Sequence, residues 1–167
     1  MDNSMANEGV SLSYLATVGT VYLILLAFVT WPAILHPGLL ASPPVGDRGA
    51  NVWNLWWTNE CFKSGTDPRW TPLLFHPYGC PLIHHSLSLT NGILLAPVTS
   101  AAGPLTAYGV AFFLWAILTG IGGALWSKRW LGAREGIWLA GFFLTFSAYR
   151  FAHLDHLNLF TTAGIPW

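Results

Sequence analysis

The stretch RFAHLDHLNLF, residues 150–160, carries Arg150, His153, Asp155 and His156 in a chain whose charged residues total only 8%. If the segment is helical, Arg150 and His153 share a face, as do His153 and His156, since positions three apart are neighbours on a helix surface. Three chemistries fit these residue types. Two imidazoles and a carboxylate suit zinc or manganese, but neither a cysteine nor an HExxH pattern supports a metal. A histidine titrates near neutral pH and a flanking aspartate can fix its tautomer, which suits acid–base work. Arg150 can grip a phosphate through two parallel N–H bonds, so a phosphorylated lipid at a membrane surface is the favoured ligand. The third chemistry, tetrapyrrole ligation by a histidine, has little in its favour. The plain alternative is an interfacial cap with a snorkelling arginine.

A second candidate is Asp47, between two glycines' reach in GDRG, residues 46–49. It precedes a segment with helical spacing, so its charge suits the positive end of a helix dipole. The functional reading is a catalytic carboxylate held at the membrane surface.

The elements that must position these residues are read from hydropathy. Hydrophobic residues make up 53% of the 167 residues. A soluble domain is about 25% charged, so the composition indicates an all-α integral membrane protein. Three spans are expected, over about 12–35, 105–126 and 130–149, within one membrane domain covering 1–167. A fourth can begin near Leu157 and run over 157–167. The first is long enough for a hydrocarbon core of roughly 30 Å. Its flank carries Asp2 and Glu8 and no basic residue, unlike a signal peptide.

Lys128, Arg129 and Arg134 cluster in SKRWLGAR. The positive-inside rule puts that turn in the cytoplasm, and with it the N-terminus. The loop 36–104 and the 150–160 stretch then share the outer side. In this loop Val52, Trp53, Trp56, Trp57 and Cys61 recur at helical spacing, with Asn51, Asn54 and Thr58 opposite. An amphipathic interfacial helix with a tryptophan face against lipid is expected. The segment PRWTPLLFHPYGCPLIHHSLSLTNG reads as irregular loop, and GILLAPV as a short re-entrant or interfacial helix. His84 and His85 could be ligands, though such a pair is more often structural. Cys61 and Cys80 could form a disulfide in an oxidising compartment or remain free thiols. Gly120 with Ala124, and Gly136 with Ala140, have the small-residue spacing of packed membrane helices.

The order of these motifs resembles the N-terminal region of bacterial multi-spanning C-type (GT-C) membrane glycosyltransferases. The resemblance runs from about residue 12 to the end and rests on PYG…HSLS…NG and on F-S-x-YR-x-AHL…HLNL. It implies a sugar carried on a polyprenyl phosphate and transferred on the outer face of the inner membrane. Asp47 matches the acidic residue of the first outer loop, a general base. Arg150, His153 and His156 match a second polar motif that would contact substrate phosphate or a metal. Proteins of this group carry many more spans, so the resemblance reads the chain as a truncated or shortened relative, with activity on its own left open. The alternative is a non-catalytic accessory subunit of a larger membrane complex, respiratory, photosynthetic or transport. Membrane lipid, a polyprenyl-phosphate-linked sugar and larger membrane subunits are the expected partners, without nucleic acid; no cofactor can be named. A channel is disfavoured by the few polar groups within the spans.

Overall fold

An eighteen-residue apolar run without proline or charge makes the first helix, α1, Leu12–Val29. The Ser11 hydroxyl accepts from the Tyr14 N–H at 3.2 Å and starts it. Pro32 follows its end. A computed structural model describes residues 11–131 and 134–161. In chain order these form α1, a 3₁₀ turn at Pro37–Ala41, α2 (Gly46–Ser64), β1 (Trp70–Thr71), β2 (Cys80–Pro81), α3 (Leu89–Leu94), α4 (Ala96–Leu131), α5 (Arg134–Thr145), α6 (Ala148–Ala152) and α7 (Leu157–Phe160). The strands pair antiparallel, Trp70 opposite Pro81 and Thr71 opposite Cys80. Helix α4 is interrupted at Gly103, whose φ of 84° and ψ of 164° suit only glycine, immediately before Pro104.

Two helices are long and apolar enough to cross a membrane among the described residues, α1 and the Ala96–Lys128 part of α4. The expectation of three to four spans is therefore not met. The third, over 130–149, contains α5, which has 12 residues. At 1.5 Å per residue it reaches about 18 Å, short of a hydrocarbon core of roughly 30 Å. The chain leaves helical geometry near Phe146 and restarts at Ala148 with Ser147 as the N-cap residue. Helix α7 begins at Leu157, where a fourth span was expected, and is one turn long. Residues 162–167 of that expectation lie outside the described residues.

The chain divides into two units. Unit 1 contains α1, the part of α4 from Phe112, and α5 and α6 with the segment from Leu159. One stripe of α1 is covered there: Val18, Tyr22 and Leu26, spaced four apart, are at most 1% exposed. Val18 and Tyr22 pack with Ala124, beside Tyr14, Ile121, Trp138 and Phe146. The Tyr22 hydroxyl donates to the Trp138 carbonyl at 2.8 Å. The close approach between helices runs through Gly120, Gly123 and Gly141: a Cβ on Gly141 would meet the Gly120 carbonyl oxygen at 2.5 Å, and the Tyr22 hydroxyl as well. The small-residue seam thus uses Gly120, as expected, but Gly141 rather than Ala140 faces it. Gly136 lies outside the residues whose packing is described. The rest of α1 is apolar and bare, with Ile24 62% and Phe28 83% exposed.

Unit 2 holds residues 35–111 and 154–158. Its centre is α2, whose buried residues include four polar ones, Asn51, Asn54, Thr58 and Asn59, each at most 3% exposed, beside Val52, Leu55 and Cys61. Trp56 is exposed, and Trp53 and Trp57 are half-buried. The physical reason is hydrogen bonding. The Asn54 amide donates to the Ser86 carbonyl at 3.1 Å, and the Thr58 hydroxyl back-bonds to the Asn54 carbonyl at 2.9 Å. Short α3 packs on the same side with Gly92 over Thr58, where a Cβ would meet the threonine methyl at 2.6 Å. Small side chains on this side permit a close helix contact that a row of tryptophans would prevent. The indoles of Trp53 and Trp57 stack 5.8 Å apart and 6° from parallel, and the Trp57 N–H donates to the Pro68 carbonyl at 3.0 Å. Cys61 and Cys80 are both free.

Candidate functional site

The RFAHLDHLNLF stretch is not one helix. Helix α6 ends at Ala152 and His153 caps it, a turn runs through Asp155, and α7 starts at Leu157. The face expected to join His153 with His156 therefore does not form, whereas Arg150 and His153 line one cleft. Arg150 and His153 belong to unit 1, and Asp155 and His156 to unit 2.

In unit 2 the turn meets the start of α2. Gly46, with φ of 58°, opens the helix, so Asp47 lies inside its first turn rather than before it. That end of the helix carries unpaired N–H groups and favours negative charge. The Asp47 carboxylate accepts from His156 Nε2, at 3.0 Å. Beside them Arg48 Nε donates to Asp155 Oδ1 at 2.7 Å, and its Nη2 donates to the same oxygen. Arg48 Nη1 also reaches the Ser42 carbonyl at 3.3 Å. Adjacent residues of GDR thus pair with adjacent residues of DH, in crossed order. Asn51 ties the two backbones together: its amide donates to the Asp47 carbonyl at 2.9 Å and to the Asp155 carbonyl at 3.2 Å. From α4 the Tyr108 hydroxyl donates to the Leu154 carbonyl. Gly109, one residue on, lets α4 lie against the Pro37 carbonyl of the 3₁₀ turn.

The two side-chain pairs differ in exposure. Asp47 and His156 are 69% and 41% exposed, against 22% for Arg48. An exposed ion pair contributes about 0–1 kcal/mol, so Asp47 and His156 add little to stability. What they offer is a carboxylate joined to an imidazole, open to solvent, where a hydroxyl could lose a proton. Arg48, Asp155, Asn51 and Tyr108 hold the two segments in place. Of these, only Asp155 stands out in the sequence, as a charge in a crowded cluster. Arg48 had one available signal: a GDR triplet and a DH doublet can pair crosswise. Asn51 and Tyr108 had none, because the Asp155 and Leu154 carbonyls they reach lie far along the chain.

In unit 1 Arg150 is 8% exposed. Its Nη2 donates to the Thr119 hydroxyl at 2.7 Å, and that hydroxyl donates to the Trp115 carbonyl at 2.7 Å. The guanidinium carbon lies 5.9 Å from the centroid of the Phe160 ring, a cation–π distance. Nε and Nη1 have no acceptor among the described residues. An arginine remains charged at neutral pH. Arg150 lines a small cleft with Ser147, Tyr149, His153, Leu159 and Phe160. The His153 ring lies over Tyr149, centroids 4.0 Å apart, with Nδ1 2.8 Å from the Tyr149 carbonyl. A buried guanidinium with two unused donors beside a cleft has the chemistry of an anion site, since unsatisfied charged donors are costly.

His85 packs edge-on against Trp53, at 6.4 Å and 66°, and His84 is exposed. Among the described residues no three His, Cys, Asp or Glu side chains converge as a metal site. Comparison with known proteins returns no matching family model, no matching curated protein and no matching solved structure.

Proposed function

We propose that the chain is a relative of the membrane glycosyltransferases that use polyprenyl-phosphate-linked sugars. Asp47, with His156 behind it, is the base that takes a proton from the acceptor hydroxyl. Arg150 and His153 meet the lipid phosphate. The observation that carries this reading is the Asp47–His156 pair: a carboxylate and an imidazole 3.0 Å apart, both substantially exposed, in an arrangement with little worth as a structural bond. Helices α1 and α4 cross the inner membrane of a bacterium, with the N-terminus cytoplasmic and loop 36–104 outside. The Arg48–Asp155 pair keeps residue 155 with that loop.

A second reading, an accessory subunit of a larger membrane complex, is favoured by α1, whose apolar surface is mostly bare. One experiment separates the two. The chain is purified in mild detergent, reconstituted, and assayed for transfer from a polyprenyl-phosphate-linked sugar. Transfer that Asp47→Asn abolishes, with unfolding temperature unchanged, supports the enzyme. Undiminished transfer by Asp47→Asn sinks the role of Asp47. Absence of transfer together with a stoichiometric large partner supports the subunit.

A further inference from the structure

The segment between β1 and β2 breaks the usual rule for an exposed loop. No Asp, Glu, Lys or Arg occurs between Arg69 and Lys128, and the loop's largest side chains point outward. Leu73 is 54% exposed, Phe75 79% and Tyr78 87%, with Trp70 of β1 47% exposed. The loop is held rather than loose. Trp70 pairs with Pro81 across the ribbon, and its indole covers Gly79, where a Cβ would also meet the Thr71 carbonyl oxygen at 2.7 Å. The Tyr78 N–H closes a turn onto the Phe75 carbonyl at 3.0 Å, and the Leu73 N–H donates to the Thr71 hydroxyl at 3.2 Å. Phe75 has a φ of 52°, the one positive value outside glycine among the described residues. A bulky aromatic residue in the left-handed region is strained, and here no packing inside the protein offsets the strain.

We propose that this loop is a lipid-inserting wedge: residues 72–79, with Trp70, seat in the boundary between headgroups and acyl chains of the bilayer that α1 and α4 cross. The alternative cover is a protein surface, and two features argue against it. Whole aromatic side chains offer roughly 150–250 Å² each, so these four partly exposed groups present on the order of 500 Å², below the roughly 800 Å² per partner of a standard stable interface. The loop also lacks any charge that would set register or choose a partner. Lipid needs neither, and Trp, Tyr and Phe side chains are those that favour the interfacial layer. The proposal rests on the membrane reading of α1 and α4 and is independent of sugar transfer.

The test is photo-crosslinking of the full chain in vesicles of phosphatidylcholine and phosphatidylglycerol. The photoreactive analogue p-benzoylphenylalanine replaces, one at a time, Phe75, Tyr78, Phe28 of α1 and Thr66, and adducts are identified by mass spectrometry. The expected result is lipid adducts at 75 and 78 severalfold above the Thr66 level, with Phe28 reporting the span itself. Lipid adducts at 28 with none above the Thr66 level at 75 and 78 would overturn the wedge and leave the spans standing. Adducts of 75 or 78 to a second protein chain would overturn it in favour of a protein partner. No lipid adduct at any position would remove the membrane reading and the wedge with it.

Discussion

Replacing Gly141 by alanine is expected to destabilise unit 1, although alanine is the better helix former. The new methyl would lie 2.5 Å from the Gly120 carbonyl oxygen and would press on the Tyr22 hydroxyl. The carbonyl belongs to α4 backbone and cannot rotate aside, so α4 and α5 must separate. Overpacking of this kind costs about 1–3 kcal/mol. If Tyr22 also loses its 2.8 Å bond to the Trp138 carbonyl, a further ~0.5–1.5 kcal/mol is lost. Against these stands a gain of up to about 1 kcal/mol in helix propensity. The net is roughly 1–3 kcal/mol of destabilisation, dominated by the packing term. For a chain of this size each kcal/mol moves Tm by about 2–4 °C, which gives a fall of roughly 2–12 °C. Thermal unfolding in detergent, followed by tryptophan fluorescence, reads this directly. Tyr22→Phe removes the hydroxyl contact alone, so Gly141→Ala must still destabilise in that background. A Tm that is unchanged or raised in both backgrounds would refute the packing of α5 on α4 through these glycines.

The Arg48→Gln and Asp155→Asn substitutions, combined in a double-mutant cycle of unfolding free energy, should show a coupling of up to about 1 kcal/mol, because both groups are partly exposed; zero coupling would remove the pair as the clamp between GDR and DH. Thr119→Val takes away the one side-chain acceptor of buried Arg150 and should cost about 1–3 kcal/mol, measured by the same unfolding assay, with an intact Tm counting against the buried position. Asp67 accepts from the Arg69 guanidinium and from its backbone N–H, and this pairing holds its carboxyl below the ordinary 3.8. A lowered carboxylate pKa stabilises the loop above pH 3.8 and loses its effect as pH falls through the lower, folded value. Carboxyl NMR should show the Asp67 midpoint rising in Arg69→Gln, with at most a small fall in Tm, since both side chains are exposed.

Some of this was legible in the chain itself. An uncharged run of eighteen residues can form little but a helix in a nonpolar setting, and α1 is that helix. The small residues near Gly120 announced a close helix contact, though the facing glycine differed by one position. Asp47 and the cluster at 150–156 stood out because charge is scarce here. Periodicity in α2 separates a tryptophan face from an asparagine face but carries no sign for what covers each. Burial of Asn51, Asn54 and Thr58 depends on the Ser86 carbonyl, the Asp155 carbonyl and Gly92, all distant in sequence.

The sequence by itself determined the long apolar helices and the chemical types available at residues 47–48 and 150–156, because composition and local spacing are properties of neighbours along the chain. Only the tertiary structure decided how that chemistry is shared out. It broke the expected helix after Ala152 and gave Asp47 to His156 and Arg48 to Asp155. It left Arg150 in the other unit with a threonine, a phenylalanine ring and two nitrogens without an acceptor among the described residues. Pairings across a hundred residues follow from which hydrogen bonds and contacts can be satisfied together in space, and no local pattern encodes that.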